Sequence, residues 1–316
     1  MRQQLYILIF LFSIIFNNIH SKTEDQENNR NTEWGYNYEQ TDTFIITNTA
    51  ELFQFARMVN NENKTFQNKL VALIPDNNSL IFDLSFYSWQ PIGSPSSPFL
   101  GTFDGNSVSL SGLSINEETK DYIGFFGFVG TESLIINVTI LLSEKGIIGG
   151  NRVGGLAGAC YGQISNCSVT NGEIYGKGYS VGGLVGSAYP GSSVTNSHSD
   201  CHVKATNVVK THIGGLVGYQ DNCSISKCYA IGSITIKNAK TSDVGGLVGY
   251  QKKGLITNCY SSGSILIEGA KETIIGGLVG KQCDQITESY TTTKKTAKRI
   301  NNSSIGELAG KVIMLH

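Results

Sequence analysis

Short apolar runs alternate with polar and glycine-rich turns along most of this chain, with a period of about 30 residues. Each period carries a glycine motif, Val/Ile-Gly-Gly-Leu-Val/Ala-Gly. An isoleucine or valine follows about ten residues later, and then a third apolar position. Copies of the motif begin at Val153, Val181, Ile213, Val244 and Ile275, with a degenerate copy at Ile305. The region has no helical periodicity, and its pattern predicts three short β-strands per period.

Strands this short cannot bury a core alone, but stacked coils of them can. Parallel pairing places equivalent residues of successive coils about 4.8 Å apart, so apolar positions form ladders inside the stack. Three ladders are predicted: Leu156, Leu184, Leu216, Leu247 and Leu278; Ile164, Val194, Ile225, Ile256 and Ile286; and Ile174, Val203, Ile234 and Ile265. The glycine pair is expected at a bend where a Cβ has no room.

The sequence therefore predicts an all-β fold, a right-handed parallel β-helix (solenoid) of about seven coils over residues 123–316. The handedness follows from the rule that parallel crossover connections are right-handed. A solenoid of this kind is expected to present an elongated surface, which suits binding better than it suits a deep catalytic pocket.

The motif, with its following Ile-x-Asn-Cys-Tyr-Ser and Gly-x-Ile segments, resembles the GLUG-motif family. The segments Trp89–Gly93 and Phe99–Gly105 are similar to the region that precedes the repeats in such proteins. The resemblance covers roughly residues 44–310. It implies a β-helix in a secreted or surface protein, adhesin-like in many members, and it implies no catalytic residues. In the last copy Glu307 replaces the second glycine, so a less regular coil is expected there.

The N-terminus predicts secretion. Arg2, an apolar run from Leu5 to Phe16 and the small residue Ser21 describe a signal peptide over residues 1–21, too short to be a spanning helix. A retained membrane anchor is the alternative. No later segment predicts membrane insertion once the signal is removed, so the expected location is secreted or at the cell surface.

Two further segments precede the repeats. Residues 22–43 are polar and predict a flexible leader. Residues 44–122 predict a small N-terminal α/β cap that covers the open edge of the first coil. Its helix is expected to start at the capping pair Asn48 and Glu51. One apolar face of that helix is formed by Leu52, Phe55, Ala56 and Val59.

Charge is sparse and balanced, with 24 Lys+Arg against 25 Asp+Glu. Loss of Arg2 with the signal peptide leaves 23 − 25 = −2. This balance gives no electrostatic footprint for nucleic acid or for an anionic membrane. The basic run at residues 294–299 is interpreted as a solvated loop.

The seven cysteines are interpreted mainly as buried thiols. Cys167, Cys228 and Cys259 share one repeat position with Val138, Ser197 and Ser289. A position that accepts these residue types is a small packing site, so free thiols are expected. A disulfide between Cys228 and Cys259 is the alternative, since adjacent coils lie within the required Cα range. The cysteine spacing indicates no zinc site and the chain has no cofactor motif, so neither a metal nor a cofactor is predicted.

Several polar and aromatic positions also repeat. The row Gln220, Gln251 and Gln282 is expected to hydrogen-bond along the stack. The row Asn137, Asn166, Asn196 and Asn258 is expected at a turn. The histidines at 198, 202 and 212 would bind a metal only if they converged, and they are expected to point apart.

The strongest candidate site is an aromatic row of residues that each follow the small ladder residue: His198, Tyr229, Tyr260 and Tyr290. They are expected to face outward, as are Tyr219 and Tyr250 in a second, shorter row. Exposed rings could stack on sugars or fill a partner's grooves. Mutual stacking that stiffens the coil is the other interpretation.

The sequence thus predicts a secreted, non-catalytic binding or structural module, for which adhesion is one role and a carbohydrate or a cell-surface protein one partner. The alternative is a carbohydrate-active β-helix enzyme, which needs clustered carboxylates. The acids of the repeats are instead scattered over different repeat positions: Glu173, Asp200, Asp221, Asp243, Glu268 and Asp284. Ice binding would need a Thr-x-Thr column, which only Thr291–Thr293 suggests.

Asparagine sequons predict a glycoprotein if the host glycosylates secreted proteins. The candidate acceptors are Asn63, Asn77, Asn137, Asn222, Asn301 and Asn302. Asn166 also heads a sequon, but its place in a turn predicts later use than the loop sites Asn63, Asn301 and Asn302.

Overall fold

The computed structural model describes residues 34–76 and 80–312. The predicted signal peptide, most of the leader and the sequon at Asn77 lie outside these residues. The chain divides into two units, one ending at Glu39 and the other beginning at Gln40. Of the first unit only residues 34–39 are described, as turns and the start of a short 3-10 helix, Tyr38–Gln40. The fold below is that of the second unit.

The second unit is a parallel β-helix whose coils contribute strands to four sheets, named A to D. Sheet A contains Thr43–Ile46, Leu70–Leu73, Thr102–Asp104, Leu134–Ile136, Gln163–Ser165, Ser193–Thr195, Ser224–Ser226, Ile256–Thr257 and Ile286–Thr287. Sheet B contains Ile81–Asp83, Ser109–Glu117, Thr139–Gly149, Ser168–Gly176, His198–Thr206, Tyr229–Ala230, Ser233–Lys237, Tyr260–Ser261, Ser264–Glu268, Tyr290–Thr291 and Lys294–Lys298.

The other two sheets flank the glycine motif. Sheet C contains Phe126–Val129, Ala157–Cys160, Val185–Ala188, Val217–Asp221, Val248–Lys253, Val279–Gln282 and Ala309–Val312. Sheet D contains Val153–Gly154, Ser180–Gly182, Lys210–Gly214, Thr241–Gly245, Glu272–Gly276 and Ser304–Gly306. The predicted all-β parallel β-helix is therefore confirmed, and each full repeat runs through sheets D, C, A and B in that order.

Two details differ from the sequence prediction. Sheet A has nine strands, so the β-helix has about nine coils rather than seven, because three strands of sheet A precede Ile123. Each full repeat also contributes strands to four sheets, whereas three strands per repeat were predicted. The additional strand lies in sheet D, directly before the bend of the glycine motif. It mixes polar with apolar residues, so the apolar pattern of the sequence did not indicate it.

The glycine motif forms the sharp bend between sheets D and C. A Cβ on Gly246 would lie 2.7 Å from both Ser261 Oγ and Thr293 Oγ1, and it would also meet the carbonyl oxygen of Gly277 in the next coil. A Cβ on Gly186, the last glycine of its copy, would lie 2.7 Å from the Val153 nitrogen of sheet D. The motif is therefore glycine-rich because the backbones of neighbouring strands and coils approach too closely here to leave room for a Cβ, as expected.

The predicted ladders form the core. The leucines of the first five motif copies are fully buried, and the Leu216 amide donates to the Leu247 carbonyl at 2.9 Å. Ile174, Val203, Ile234 and Ile265 are register partners in sheet B and no more than 2% exposed. The remaining ladder is buried up to Ile256, while Ile286 near the end of the described residues is only half-buried.

The asparagine row lies at the turn after sheet A, as predicted. Asn137, Asn166, Asn196 and Asn258 all have positive φ, between 47° and 57°. Asparagine tolerates this left-handed conformation better than most residues. Lys227 and Glu288 take the same conformation in the coils that lack the asparagine. The turn geometry is therefore set by the stack, and asparagine is its least strained occupant.

A single α-helix within the described residues, α1, spans Thr49–Glu62 and closes the first coils. The Glu51 amide donates to Asn48 Oδ1 at 3.1 Å, which is the predicted cap. The predicted apolar face is buried, and Met58 joins it. Phe55 of this face stacks on Phe103 of sheet A at 5.7 Å, so the helix packs directly on the end of the core.

All seven cysteines are free thiols in the structure. Six are buried, and Cys283 is partly exposed. Burial raises the pKa of Cys167 and Cys223 to about 12, so their thiols are protonated at neutral pH. The shared position of Cys167, Cys228 and Cys259 is therefore a packing site, and the structure does not form the alternative disulfide.

Candidate functional site

The predicted aromatic row forms a continuous column on sheet B. Parallel register aligns His198 with Tyr229, then Tyr260, then Tyr290. The ring centroids of successive members lie 4.5, 4.9 and 5.4 Å apart, and successive planes are within 9° of parallel. The spacing follows from the coil repeat, because the side chains leave equivalent backbone positions.

This stacking decides which ring surfaces a ligand can reach. The inner rings cover one another's faces, so the column presents ring edges and hydroxyl groups in a row. Tyr290, at the end of the column, is 59% exposed. Burial lowers the pKa of His198, with the nearby Asp200 opposing it, and burial also raises the pKa of Tyr260. Both side chains are thus favoured in their neutral forms, as a stacked column requires.

The acids of the repeats have separate partners. Glu173 pairs with Lys204 at 3.4 Å, and Asp221 pairs with Lys252 at 2.8 Å. Asp284 instead accepts the Gly254 amide at 2.8 Å. The carboxylates therefore serve local contacts. Within residues 34–76 and 80–312, no three metal-ligating side chains lie together.

The three histidines named in the sequence also lie apart. His198 belongs to the aromatic column, and His202 Nε2 lies 2.9 Å from Thr235 Oγ1. His212 is on sheet D. The structure therefore does not bring the predicted ligand-type residues to one point.

The glutamine row is structural, but most of its partners differ from the prediction. The Nε2 groups of Gln220 and Gln251 each donate at 2.7 Å to the carbonyl three residues on, at Cys223 and Gly254. Gln282 Nε2 donates to the Asp284 carbonyl at 2.9 Å. Gln251 Nε2 also donates to the Gln285 carbonyl of the next coil at 3.1 Å, so one amide bonds along the stack as expected, while all three hold the turn after sheet C.

The described sequon asparagines differ in access. Asn63, Asn222, Asn301 and Asn302 are exposed. Asn137 is half-buried and its Nδ2 donates to Asp104 Oδ1 at 2.9 Å, while Asn166 Nδ2 donates to Asn137 Oδ1 at 2.7 Å. The amides of Asn137 and Asn166 are therefore both hydrogen-bonded at the turn, although Asn166 is exposed.

Sequence reasoning missed a column on sheet D made of the residue before each glycine motif. Ser180, His212 and Asp243 are register partners on three successive coils. His212 Nδ1 lies 2.8 Å from Asp243 Oδ2, although off the line of a good hydrogen bond, and His212 Nε2 has no polar partner. Aligning the residues that precede the motif would have found this column.

The serine and histidine of this column are closed to a substrate. Ser180 is fully buried, and its Oγ lies 2.7 Å from Ser187 Oγ rather than bonding to the histidine. His212 is 1% exposed and packs edge-on against Tyr179, with the centroids 4.7 Å apart. A nucleophile needs both a base within reach and an open approach, so these residues do not form a catalytic triad.

Comparison with known proteins agrees with the repeat assignment. Residues 211–235 and 241–266 each match the GLUG motif. Halomucin of Haloquadratum walsbyi is 33% identical over 144 residues, which are 43% of this chain and 2% of halomucin. A Gly-rich membrane protein of Evansella cellulosilytica is 37% identical over 82 residues, 26% of this chain and 10% of that protein. The chain thus matches only a small part of each relative.

The fold has a counterpart among solved structures. A crystal structure from Bacteroides ovatus that carries the name immunoglobulin A1 protease superposes with a TM-score of 0.63 at 17% identity, covering 86% of this chain and 84% of that one. At this identity the likeness concerns the fold. The described residues contain no helix long and apolar enough to cross a bilayer. Residues 211–235 and 241–266 thus carry the GLUG motif within a parallel β-helix, and the relatives fit a surface or structural role.

Proposed function

We propose that this chain is a secreted or surface-exposed, non-catalytic module that binds a carbohydrate or a cell-surface protein through sheet B, in an adhesive or structural role. The observation that carries the proposal is the aromatic column of His198, Tyr229, Tyr260 and Tyr290. Its rigid spacing fixes a row of hydroxyl groups and ring edges before any ligand arrives. Preorganised polar groups bind without a large entropic cost.

The separate pairing of most carboxylates supports a binding role over an enzymatic one. A glycoside hydrolase needs two carboxyl groups about 5 to 10 Å apart across one bond. Here Glu173 and Asp221 are each paired with a lysine, and Asp243 lies against His212. The relatives' names, a mucin-type protein and a membrane protein, also support a location at a cell surface.

Removing two rings tests the column as the contact surface. The Tyr229→Ala, Tyr260→Ala variant should bind a glycan array or a cell surface at least about tenfold more weakly, since ring contacts contribute on the order of 1–3 kcal/mol each in other systems. The measurement is equilibrium binding by the wild type and the variant. Circular dichroism should show an unchanged strand content, because neither ring belongs to the core.

Tyr175→Ala is the matched control, because Tyr175 is a half-buried tyrosine on sheet B outside the column. It should bind like the wild type. Unchanged binding by the folded double variant contradicts the proposed contact surface. Polymer cleavage that disappears with a single acid substitution contradicts the non-catalytic role.

A further inference from the structure

A furrow runs between the outward columns of sheets D and C, away from the aromatic column of sheet B. We name it the C/D furrow. Its sheet D side is Ser180, His212, Asp243, Ile274 and Ser304. Its sheet C side is Ser187, Tyr219, Tyr250, Lys281 and Lys311. The His212 ring lies 5.8 Å from the Tyr219 ring and 5.1 Å from the Tyr250 ring, so the two sides face each other.

The furrow is closed at one end and open at the other. At Ser180 and Ser187 the sides touch through their hydroxyl groups. From Asp243 onward a cavity of about 590 Å³ lies along the sheet D side, and Lys311 is its lining residue from the sheet C column. The cavity is lined by Lys210, Thr211, Thr241, Ser242, Asp243, Glu272, Thr273, Ile274, Asn302, Ser303, Ser304 and Lys311. A cavity of this volume accommodates a small ligand or part of a chain.

Cations rest on aromatic faces along the furrow. Lys281 Nζ lies 4.6 Å from the centre of the Tyr250 ring, and Lys210 Nζ lies 5.7 Å from that of Tyr179. Ammonium groups held over rings keep donors free for an anion. Hydroxyl groups dominate the rest of the lining, together with the carboxylates of Asp243 and Glu272. The cavity therefore offers charged donors, neutral donors and acceptors in one place, and Lys281 over the Tyr250 ring is the register neighbour of Lys311 on sheet C.

We propose that the C/D furrow binds an acidic glycan, a sugar chain that carries carboxylate groups. Sugar hydroxyls both donate and accept hydrogen bonds, which matches the mixed hydroxyl and carboxylate lining, and a uronate carboxylate matches Lys281 and Lys311. The carboxylates of Asp243 and Glu272 need hydrogen-bond donors, which sugar hydroxyls supply and a phosphodiester backbone does not, so the lining favours a sugar chain over nucleic acid. The site is separate from sheet B, so it stands whether or not the aromatic column binds a ligand.

The test measures binding of the full chain to a short oligogalacturonate and to its methyl ester, which differs only in lacking the negative charges. We expect the acid to bind and the ester to bind at least about tenfold more weakly. The Lys281→Ala, Lys311→Ala variant should lose at least about tenfold in affinity for the acid. The control is Lys237→Ala, Lys298→Ala, which removes the same charge from exposed positions on sheet B.

Each further outcome decides the proposal. Equal binding of acid and ester, no binding of the acid, or equal losses in the two lysine variants overturns it. A single-stranded oligonucleotide that binds more tightly than the oligogalacturonate, and loses binding with the same furrow lysines, overturns the assignment of ligand class. The Tyr229→Ala, Tyr260→Ala variant should bind the acid like the wild type, so this result is read independently of the sheet B proposal.

Discussion

Replacing Gly246 by valine is expected to lower the free energy of unfolding by about 3 kcal/mol or more, at the upper end of overpacking effects. The new side chain would begin 2.7 Å from Ser261 Oγ and Thr293 Oγ1 and would also meet the Gly277 carbonyl. This carbonyl belongs to the backbone of the adjacent coil, so it cannot move away unless the two coils separate. The measurement is urea denaturation followed by circular dichroism.

The matched control is Glu307→Ala, at the equivalent position of the last motif. The structure explains why that copy tolerates glutamate: the Glu307 side chain is 94% exposed, and no described coil lies over it. The strand directly before it, Ser304–Gly306, still pairs in register within sheet D, so the irregularity expected from the sequence is not found there. The exposed ion pair of Glu307 with Lys295 should contribute about 0–1 kcal/mol, so the control should be nearly neutral. Equal destabilisation by the two changes would contradict the packing of the bend.

Leu247→Ala is expected to lower the free energy of unfolding by about 3 kcal/mol through the lost burial and the cavity that remains. Leu247 is fully buried, and its backbone pairs with Leu216 on one side and Leu278 on the other. Neighbouring coils fix the backbone on both sides, so the cavity cannot collapse. Urea denaturation of the variant and of the wild type measures this loss in the free energy of unfolding.

Leu308→Ala is the control for the leucine ladder, because Leu308 is the same ladder position but 36% exposed. Leu308→Ala should lower the free energy of unfolding by less than half as much as Leu247→Ala, because the Leu308 side chain buries less apolar surface on folding. A larger loss at Leu308 than at Leu247 would mean that the ladder is not the core of the stack.

The repeats were predictable because each coil meets the same neighbours. Leu216 and Leu247 occupy equivalent positions and are therefore subject to the same selection for size and polarity, which makes the ladder visible as a period. The left-handed turn at Asn166 and Asn258 was visible for the same reason. Equivalent positions have equivalent environments and therefore keep similar residues. This repetition made the ladders and the turn predictable from the sequence.

The first coils were harder because their environments differ from coil to coil. Thr43–Ile46 and Leu70–Leu73 pair in sheet A as later strands do, but Thr43–Ile46 pairs on a single side and lies against α1. Aromatic residues such as Phe103 fill the space under the helix in place of leucine. The apolar period is lost there although the backbone geometry continues, so the coil count came out too low.

The candidate site was predictable in position but not in detail. The repeat placed Tyr229 and Tyr260 on neighbouring coils, and their register is as expected. Whether two rings lie flat against the sheet or stack on each other depends on side-chain rotamers, which spacing does not set. The C/D furrow was not predictable, because it depends on how closely the glycine bend brings two sheets together.

The central claim is that equivalent positions of successive repeats stack in register, and distances between spin labels test it most directly. Outward positions in sheet A form one column through Ile136, Ser165, Thr195, Ser226, Thr257 and Thr287. Labels would be placed at Ser165 and Thr287 in one sample, and at Ile136 and Thr287 in another. Cys283 would be replaced by serine, because the other native thiols are buried.

Four coil intervals separate the first pair and five the second. At about 4.8 Å per interval, the expected backbone separations are roughly 19 Å and roughly 24 Å. Pulsed electron paramagnetic resonance should therefore give two narrow distance distributions, the second longer than the first by one coil spacing. Equal distances, or a shorter distance for the second pair, would contradict the stacked parallel β-helix.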